Sequence, residues 1–253
     1  MKSGYHAVYA RNFCQGIDDA RKYGFDFAQF ELGVPTFFLD GLTPEDLREI
    51  RGYADSQGVE ITFHAPGDNV GLLVDCPCVR KGTLEQFKLN LDRANALRAR
   101  HMTVHAGVCS AFRKSGGEAD DRTEYYEQIL YENLLAVLGW AGDVLVCLEN
   151  YQFTPLITRV AQRLIDEGRG LCLTLDVAKP HERAFYEKNR RVIREMHIHD
   201  VNETGSHQTV GTGKLDFRAF KEFCGPEVWL NYEVRPVGEA AKSKQALEEL
   251  WGL

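Results

Sequence analysis

Glu195-Met196-His197-Ile198-His199-Asp200 alternates ionisable and apolar side chains along its length. On an extended chain successive side chains point to opposite faces. Glu195, His197 and His199 therefore share one face, and Met196 and Ile198 share the other. The same habit recurs along the chain, where short apolar runs end in ionisable residues. Glu60–His64 runs into His64-Ala65-Pro66, and Met102–His105 into His105-Ala106-Gly107. Val144–Glu149 ends in Glu149-Asn150-Tyr151, Leu171–Asp176 in Asp176, and Val228–Glu233 in Glu233-Val234-Arg235. Tyr5–Tyr9 and Phe25–Leu32 complete eight predicted strands with Glu195–His199.

Helical patterns lie between them. Pro44–Gln57 follows Thr43 with proline at the first helical position. Lys81–Arg100 carries Leu84, Phe87, Leu91, Ala94 and Leu97 at spacings of three and four. Glu124–Trp140, Pro155–Glu167, Glu182–Arg191, Phe217–Phe223 and Glu239–Leu250 follow. Eight strand–helix alternations in 253 residues predict an α/β fold, a single (β/α)8 TIM barrel in which residues 1–253 form one domain. The competing layout, an open doubly wound sheet, lacks its glycine-rich phosphate turn: the first strand leads into Ala10-Arg11-Asn12-Phe13.

With 44% hydrophobic residues the chain can bury a large core, and its longest apolar runs are too short to span a bilayer. The start, Met1-Lys2-Ser3-Gly4-Tyr5-His6, lacks the apolar core of a secretory signal. A net charge of −7 argues against a surface built for nucleic acid or anionic lipid. The seven cysteines include no C-x-x-C pair, which argues against a disulfide scaffold or a cysteine zinc site. Cys147 and Cys172 fall in predicted strands as small buried residues. Free thiols fit a reducing, cytoplasmic compartment.

Active sites on this barrel gather at the C-terminal ends of the strands. Two positions before each terminal ionisable group stand Thr62, Thr103, Cys147, Thr174, Glu195 and Asn231, mostly small or polar. The alternate face carries Leu148, Leu173, Leu175, Met196, Ile198 and Leu230. The ionisable groups thus converge on the barrel axis. Carboxylates and imidazoles crowded into one low-dielectric mouth need compensation, and a divalent cation supplies it. Mixed nitrogen and oxygen donors suit zinc, manganese, cobalt or iron(II) better than calcium.

Taken in order, Phe63-His64-Ala65-Pro66, Val104-His105-Ala106-Gly107, Leu148-Glu149-Asn150, Leu175-Asp176, Met196-His197-Ile198-His199-Asp200 and Gly211-Thr212-Gly213-Lys214-Leu215-Asp216-Phe217 resemble the xylose-isomerase-like TIM-barrel superfamily. That group holds sugar isomerases, epimerases and endonuclease IV, and the resemblance covers nearly the whole chain. It implies a four-ligand metal site of Glu149, Asp176, His197 and Glu233. The family's ligand-x-x-acid pattern selects His197, three before Asp200, over His199. The endonuclease IV group adds a second metal, for which His64, His105 and Glu149 match. Its third metal needs a histidine where Lys179 stands and an aspartate where Gly205 stands, and only His207 matches. One or two divalent ions per chain (zinc, manganese or cobalt) are therefore expected.

Each residue also has an ordinary reading. His64 and His105 fit as satisfied core histidines if taken singly. Glu149, Asp176 and Glu233 fit as structural ion pairs with Lys179 or Arg235. Glu195 and His199 fit as a pair orienting His197. His207 divides between substrate contact and surface loop, Gly211-Thr212-Gly213 between phosphate loop and tight turn, and Arg113-Lys114 between phosphate contact and solvated surface. His6 and His181 read as incidental, and Cys76-Pro77-Cys78 as loop. Phe37-Phe38 either covers the mouth or anchors a homodimer.

The resemblance implies a metal-dependent isomerase or epimerase of a small sugar, sugar acid or sugar phosphate. Its proton transfer would pass through a metal-stabilised enediolate, with Glu149 and Glu233 as base and acid. Lys179, His199, His207 and Arg235 are the expected substrate contacts. The competing readings are a metal-dependent phosphoesterase or abasic-site endonuclease, and a non-catalytic sugar-binding barrel.

Overall fold

The computed structural model describes residues 1–67, 70–107, 122–179 and 182–252. Cys109, Arg113, Lys114 and His181 lie outside them. Eight parallel strands close into a barrel: β1 (Ser3–His6), β2 (Phe27–Glu31), β3 (Glu60–His64), β4 (His101–Val104), β5 (Leu145–Glu149), β6 (Cys172–Asp176), β7 (Ile193–Ile198) and β10 (Trp229–Tyr232). β1 closes the ring against β10. The predicted (β/α)8 architecture is the observed one.

Alternation along the strands sorts the side chains as the sequence requires. Leu148, Leu173, Leu175, Met196, Ile198 and Leu230 face the helices and are at most 1% exposed. Thr62, Thr103, Cys147, Thr174, Glu195 and Asn231 fill the barrel interior, also fully buried. Between β6 and β7 the register slips, pairing Leu173 with Ile193 and Thr174 with Glu195, so that Arg194 is skipped. The slip keeps Glu195 and His197 on the inner face.

The helices are α1 (Phe13–Lys22), α2 (Pro44–Gln57), α3 (Pro77–Ala96), α4 (Thr123–Gly139), α5 (Pro155–Asp166), α6 (Arg183–Lys188) and α7 (Val237–Trp251). α2 begins at a capping box, with Thr43 and Asp46 each bonding the other's backbone amide, and ends at Gly58 in a left-handed turn. α3 starts a turn earlier than its periodicity indicates, because Pro77 takes the first helical position, and Cys76 caps it without a side-chain bond. Glu182–Arg191 splits into α6 and a 3-10 turn, Arg190–Val192. Phe217–Phe223 is 3-10 throughout.

Two elements went unread in the sequence. α1 buries Phe13, Ile17 and Ala20 and is capped by Asn12, whose side chain accepts the Gln15 amide hydrogen. Beyond β7, β8 (Asp200–Asn202) and β9 (Gly205–Gln208) form an antiparallel hairpin over the barrel mouth. Among the described residues no helix is long and apolar enough to cross a membrane.

Candidate metal and active site

The site stands on a buried floor. Glu195 accepts hydrogen bonds from Gln29 (2.8 Å) and Thr103 (2.5 Å), and its Oε1 lies 3.1 Å from His101 Nε2. Its Oε2 lies 3.4 Å from His197 Nε2. Burial raises the Glu195 carboxyl, yet His101 and His197 outweigh it and hold the group well below the usual carboxylate range. A negative charge is thus fixed beneath His197. Glu195 touches His197 as expected, but His199 does not complete that pair. Its Nε2 faces Asp176 Oδ1 at 3.2 Å instead.

Above the floor the strand ends converge. Glu149 Oε2 meets His105 Nε2 at 2.9 Å, His64 Nε2 at 3.1 Å and His197 Nδ1 at 3.6 Å. Glu233 Oε1 reaches the same His197 Nδ1 at 3.2 Å. Asn150 holds Asp176 in place, exchanging backbone bonds of 2.7 and 2.9 Å with it. Burial works against charge on His64, Glu149, His197 and Glu233. For His64 and His197 the surrounding carboxylates win and hold the imidazolium well above its usual range. The Glu149 carboxyl is correspondingly held well below its own, and Glu233 falls to about 2.

Ligand atoms of Glu149, Asp176 and His197 lie within 4.8 Å of one another, as do those of His64, His197 and Glu233, and of His64, His105 and Glu149. These overlapping triads contain all six predicted ligands. Among the described residues neither ring nitrogen of buried His197 makes a hydrogen bond, although carboxylate oxygens stand at 3.2–3.6 Å. The directions are wrong for hydrogen bonding. Converged anionic oxygens and undirected imidazole nitrogens are a donor set that a divalent cation satisfies, so the residues present fit the ion.

The ordinary reading of these carboxylates, pairing with Lys179 or Arg235, gives way to imidazole partners. Lys179 extends its ammonium over Tyr151, 5.5 Å from the ring centre. Arg235 turns to His6 Nδ1, at 3.4 Å, and to the Tyr9 ring. His207 has φ 62 and donates from Nδ1 to the Glu233 carbonyl at 2.8 Å. Burial is the chief cause pushing its imidazole down to about 4. Lys179, His207 and Arg235 stand at the rim, whereas His199 is wholly buried beneath His207, their rings 4.4 Å apart. His199 braces Asp176, and its ligand nitrogen lies within 4.8 Å of the ligand atoms of His207 and Glu233.

His6, read as incidental, belongs to the mouth, and Glu31 went unread. His6 closes β1 and Glu31 closes β2. Glu31 Oε2 lies 3.1 Å from His64 Nδ1 and 3.4 Å from His6 Nε2, and His6 Nδ1 lies 3.4 Å from Glu233 Oε1. Every strand of the barrel therefore delivers an ionisable side chain to the mouth. His101 and Tyr151, stacked 4.2 Å from His105, were also missed. The glycine turn is settled as structural: Gly211 and Gly213 donate their backbone N–H groups to Asp200 Oδ2, and Leu215 donates to Oδ1. A side-chain carboxylate fills the place a phosphate would take. Phe37 is core, packed on Phe13 and Phe30, while Phe38 is 47% exposed. A cavity of about 280 Å³, lined by Glu31, Gly33, Val34, His64, Pro66, Gly67 and His105, opens above the imidazoles.

A closed parallel barrel with imidazoles and carboxylates gathered at the C-terminal ends of its strands defines the class. The sequence model of the xylose isomerase-like TIM barrel family matches residues 17–248, and the chain belongs to that family. It is similar to fructoselysine 3-epimerase of Escherichia coli O157:H7, 22% identical over 93% of this chain and 91% of the relative. Among solved structures it resembles a D-tagatose 3-epimerase-like protein (TM-score 0.79, 21% identity, covering 98% of this chain and 96% of the other). It also resembles the IOLI protein with a bound zinc atom (TM-score 0.76, 13% identity, covering 100% and 98%).

Proposed function

We propose that this chain is a divalent-metal-dependent isomerase or epimerase of a small sugar, sugar acid or sugar phosphate. One observation carries the reading: Glu149 and Glu233 approach the same nitrogen of His197 from different strands, at 3.6 and 3.2 Å. Two carboxylates flanking one point are what proton removal and return at a single carbon require. Sugar epimerases among the relatives support the same class. Glu149, Asp176, His197 and Glu233 would hold a metal, with His64 and His105 beside Glu149. The ion would polarise a substrate carbonyl and acidify the neighbouring C–H. Glu149 and Glu233 would exchange the proton as base and acid. Lys179, His207 and Arg235 at the rim would orient hydroxyls. The six described cysteines are all free, which supports a reducing, cytoplasmic setting.

A second reading, phosphoester hydrolysis, is favoured by the His64–His105–Glu149 triad. Lys179 and Gly205 at the third-metal positions and the −7 charge count against it. The test is exchange of the carbon-bound hydrogen of D-fructose and related ketoses for deuterium in D2O, followed by NMR after Mn2+, Co2+ or Zn2+ loading. The proposal expects exchange that falls by at least about 100-fold in Glu149→Gln and Glu233→Gln. Nicking of an abasic duplex without ketose exchange would transfer the assignment to the second reading.

A further inference from the structure

Two of the free cysteines face each other inside the barrel. Cys147 on β5 and Cys172 on β6 are register partners in a parallel pairing. The residues that follow them, Leu148 and Leu173, face the helices, so both thiols point to the barrel interior. Cys147 is fully buried, whereas Cys172, the first residue of β6, is 6% exposed. Each sulfur also lies 3.8 Å from a carbonyl oxygen, of Leu145 and of Gly170, contacts too weak to fix a thiol in place. Neighbouring strands run about 4.8 Å apart, and a disulfide accepts Cα separations of about 4.4–6.8 Å. The pair can therefore bond without unfolding the sheet. A hydrogen bond from Cys147 and the guanidinium groups of Arg194 and Arg100 hold the Cys172 thiol below its usual range, against burial. The sugar chemistry at the other end of the barrel makes no use of this pair.

We propose that Cys147 and Cys172 form an oxidation site, closed to a disulfide by a hydroperoxide, that loosens the metal centre above it. The Cys172 thiolate takes the terminal peroxide oxygen and the O–O bond breaks. Hydroxide or alkoxide leaves and takes up the proton the thiol had released. The Cys147 sulfur then bonds to the sulfur of the Cys172 sulfenic acid. The S–O bond breaks, and the departing hydroxide takes the Cys147 proton and leaves as water. In sum, two thiols and one hydroperoxide give one disulfide, one water and one alcohol (a second water from hydrogen peroxide). The thiols lose two electrons and the peroxide bond gains them. In a reducing compartment such a bond is transient, as redox-sensing disulfides are. Bonding draws the two Cβ atoms to about 3.8 Å, closer than the strand spacing, so β5 and β6 tighten at this level. Glu149 stands two residues beyond Cys147, and Asp176 four beyond Cys172. Thr103, the partner of Cys147 on β4, holds Glu195 beneath His197. These residues move with the strands that carry them. The effect on metal rests on the metal-dependent isomerase reading, whereas the disulfide itself does not.

Reduced wild type is treated with hydrogen peroxide, alkylated, digested and read by mass spectrometry. The peptides carrying Cys147 and Cys172 should appear linked, two hydrogens lighter than their sum, and dithiothreitol should separate them. The link should form before the exposed Cys14, Cys76 and Cys78 are oxidised. Cys147→Ser should stall at a sulfenic acid on Cys172 that dimedone captures, an adduct that a merely structural cysteine would not give. Cys172→Ser should leave Cys147 unreactive. No linked peptide in the wild type, or oxidation of the three surface thiols ahead of the pair, would overturn the proposal. The second readout is zinc affinity by competition with a chelating dye, since zinc itself is redox-inert. Oxidised wild type should bind zinc at least about tenfold more weakly than reduced, the scale of a disturbed supporting shell. Cys147→Ser treated alike should keep its affinity. Equal zinc affinity in the reduced and linked wild type would overturn the coupling to the metal centre. A wild type that links but binds no zinc in either state would sink the metal reading and keep the disulfide.

Discussion

One oxygen of Glu149 lies within 3.6 Å of three imidazoles, so this residue decides the charge balance of the mouth. Glu149→Gln removes the charge and keeps the shape. It should abolish metal retention, read as metal per chain after gel filtration, while circular dichroism stays unchanged. The raised imidazoles give a second prediction. In metal-free protein the charged forms of His64 and His197 contribute stability that is fully present below their unfolded value near 6.5. That contribution is lost as pH rises through their elevated folded values. With chelator present, the melting temperature should therefore fall as pH climbs above about 6.5. Metal competes with those same protons, so the gain on adding metal should widen over the same window. A chelated protein that grows more stable there would contradict this arrangement of charges. Gly67 adds a steric test: a Cβ there would stand 2.4 Å from His105 Nδ1. Gly67→Ala should displace the ring and weaken metal binding without loss of fold.

At the scale of the element, the hairpin β8–β9 and the turn after it hang on Asp200. Its carboxylate accepts backbone N–H groups of Val201, Gly211, Gly213 and Leu215 while 1% exposed. Asp200→Ala strands these donors, at about 1–3 kcal/mol for each left unsatisfied. Denaturant unfolding should show a loss of about 3 kcal/mol or more, with faster amide exchange around His207. A loss under about 1 kcal/mol would mean that water replaces the carboxylate. Gly213→Ala should act likewise, because its Cβ would lie 2.3 Å from the Val201 carbonyl. This element also marks where sequence reading stops. Asp200 was legible as part of a strand-end pattern, yet its partners sit eleven to fifteen residues on. No local periodicity reports such a bond. The strands with ionisable ends were legible because burial on both faces leaves only period two and the end residue to vary. β1 and β2 were legible as strands but not their ends, since running them on to Tyr9 and Leu32 leaves His6 and Glu31 inside the strands. α1 carries its signal in Asn12, Phe13, Ile17 and Ala20, but the missing glycine turn drew the reading away from it.

Across the whole molecule, the fold brings residues from position 6 to position 235 to one end of a barrel. The interior below is packed with small polar side chains around Glu195. Closing eight strands makes the ends of β3, β4, β5, β6, β7 and β10 neighbours, which is why ligands far apart in sequence form overlapping triads. The family was legible from those ends. The central claim is that these ends form a metal centre, and metal content by plasma mass spectrometry tests it most directly. Untagged wild type is measured beside Asp176→Asn and His64→Ala after loading with Mn2+, Zn2+ or Co2+ and desalting. The account predicts one or two ions per chain in the wild type, none in Asp176→Asn, and a partial loss in His64→Ala if the second position fills. Wild type that holds no ion from any of the three, or Asp176→Asn that keeps the full content, would contradict it.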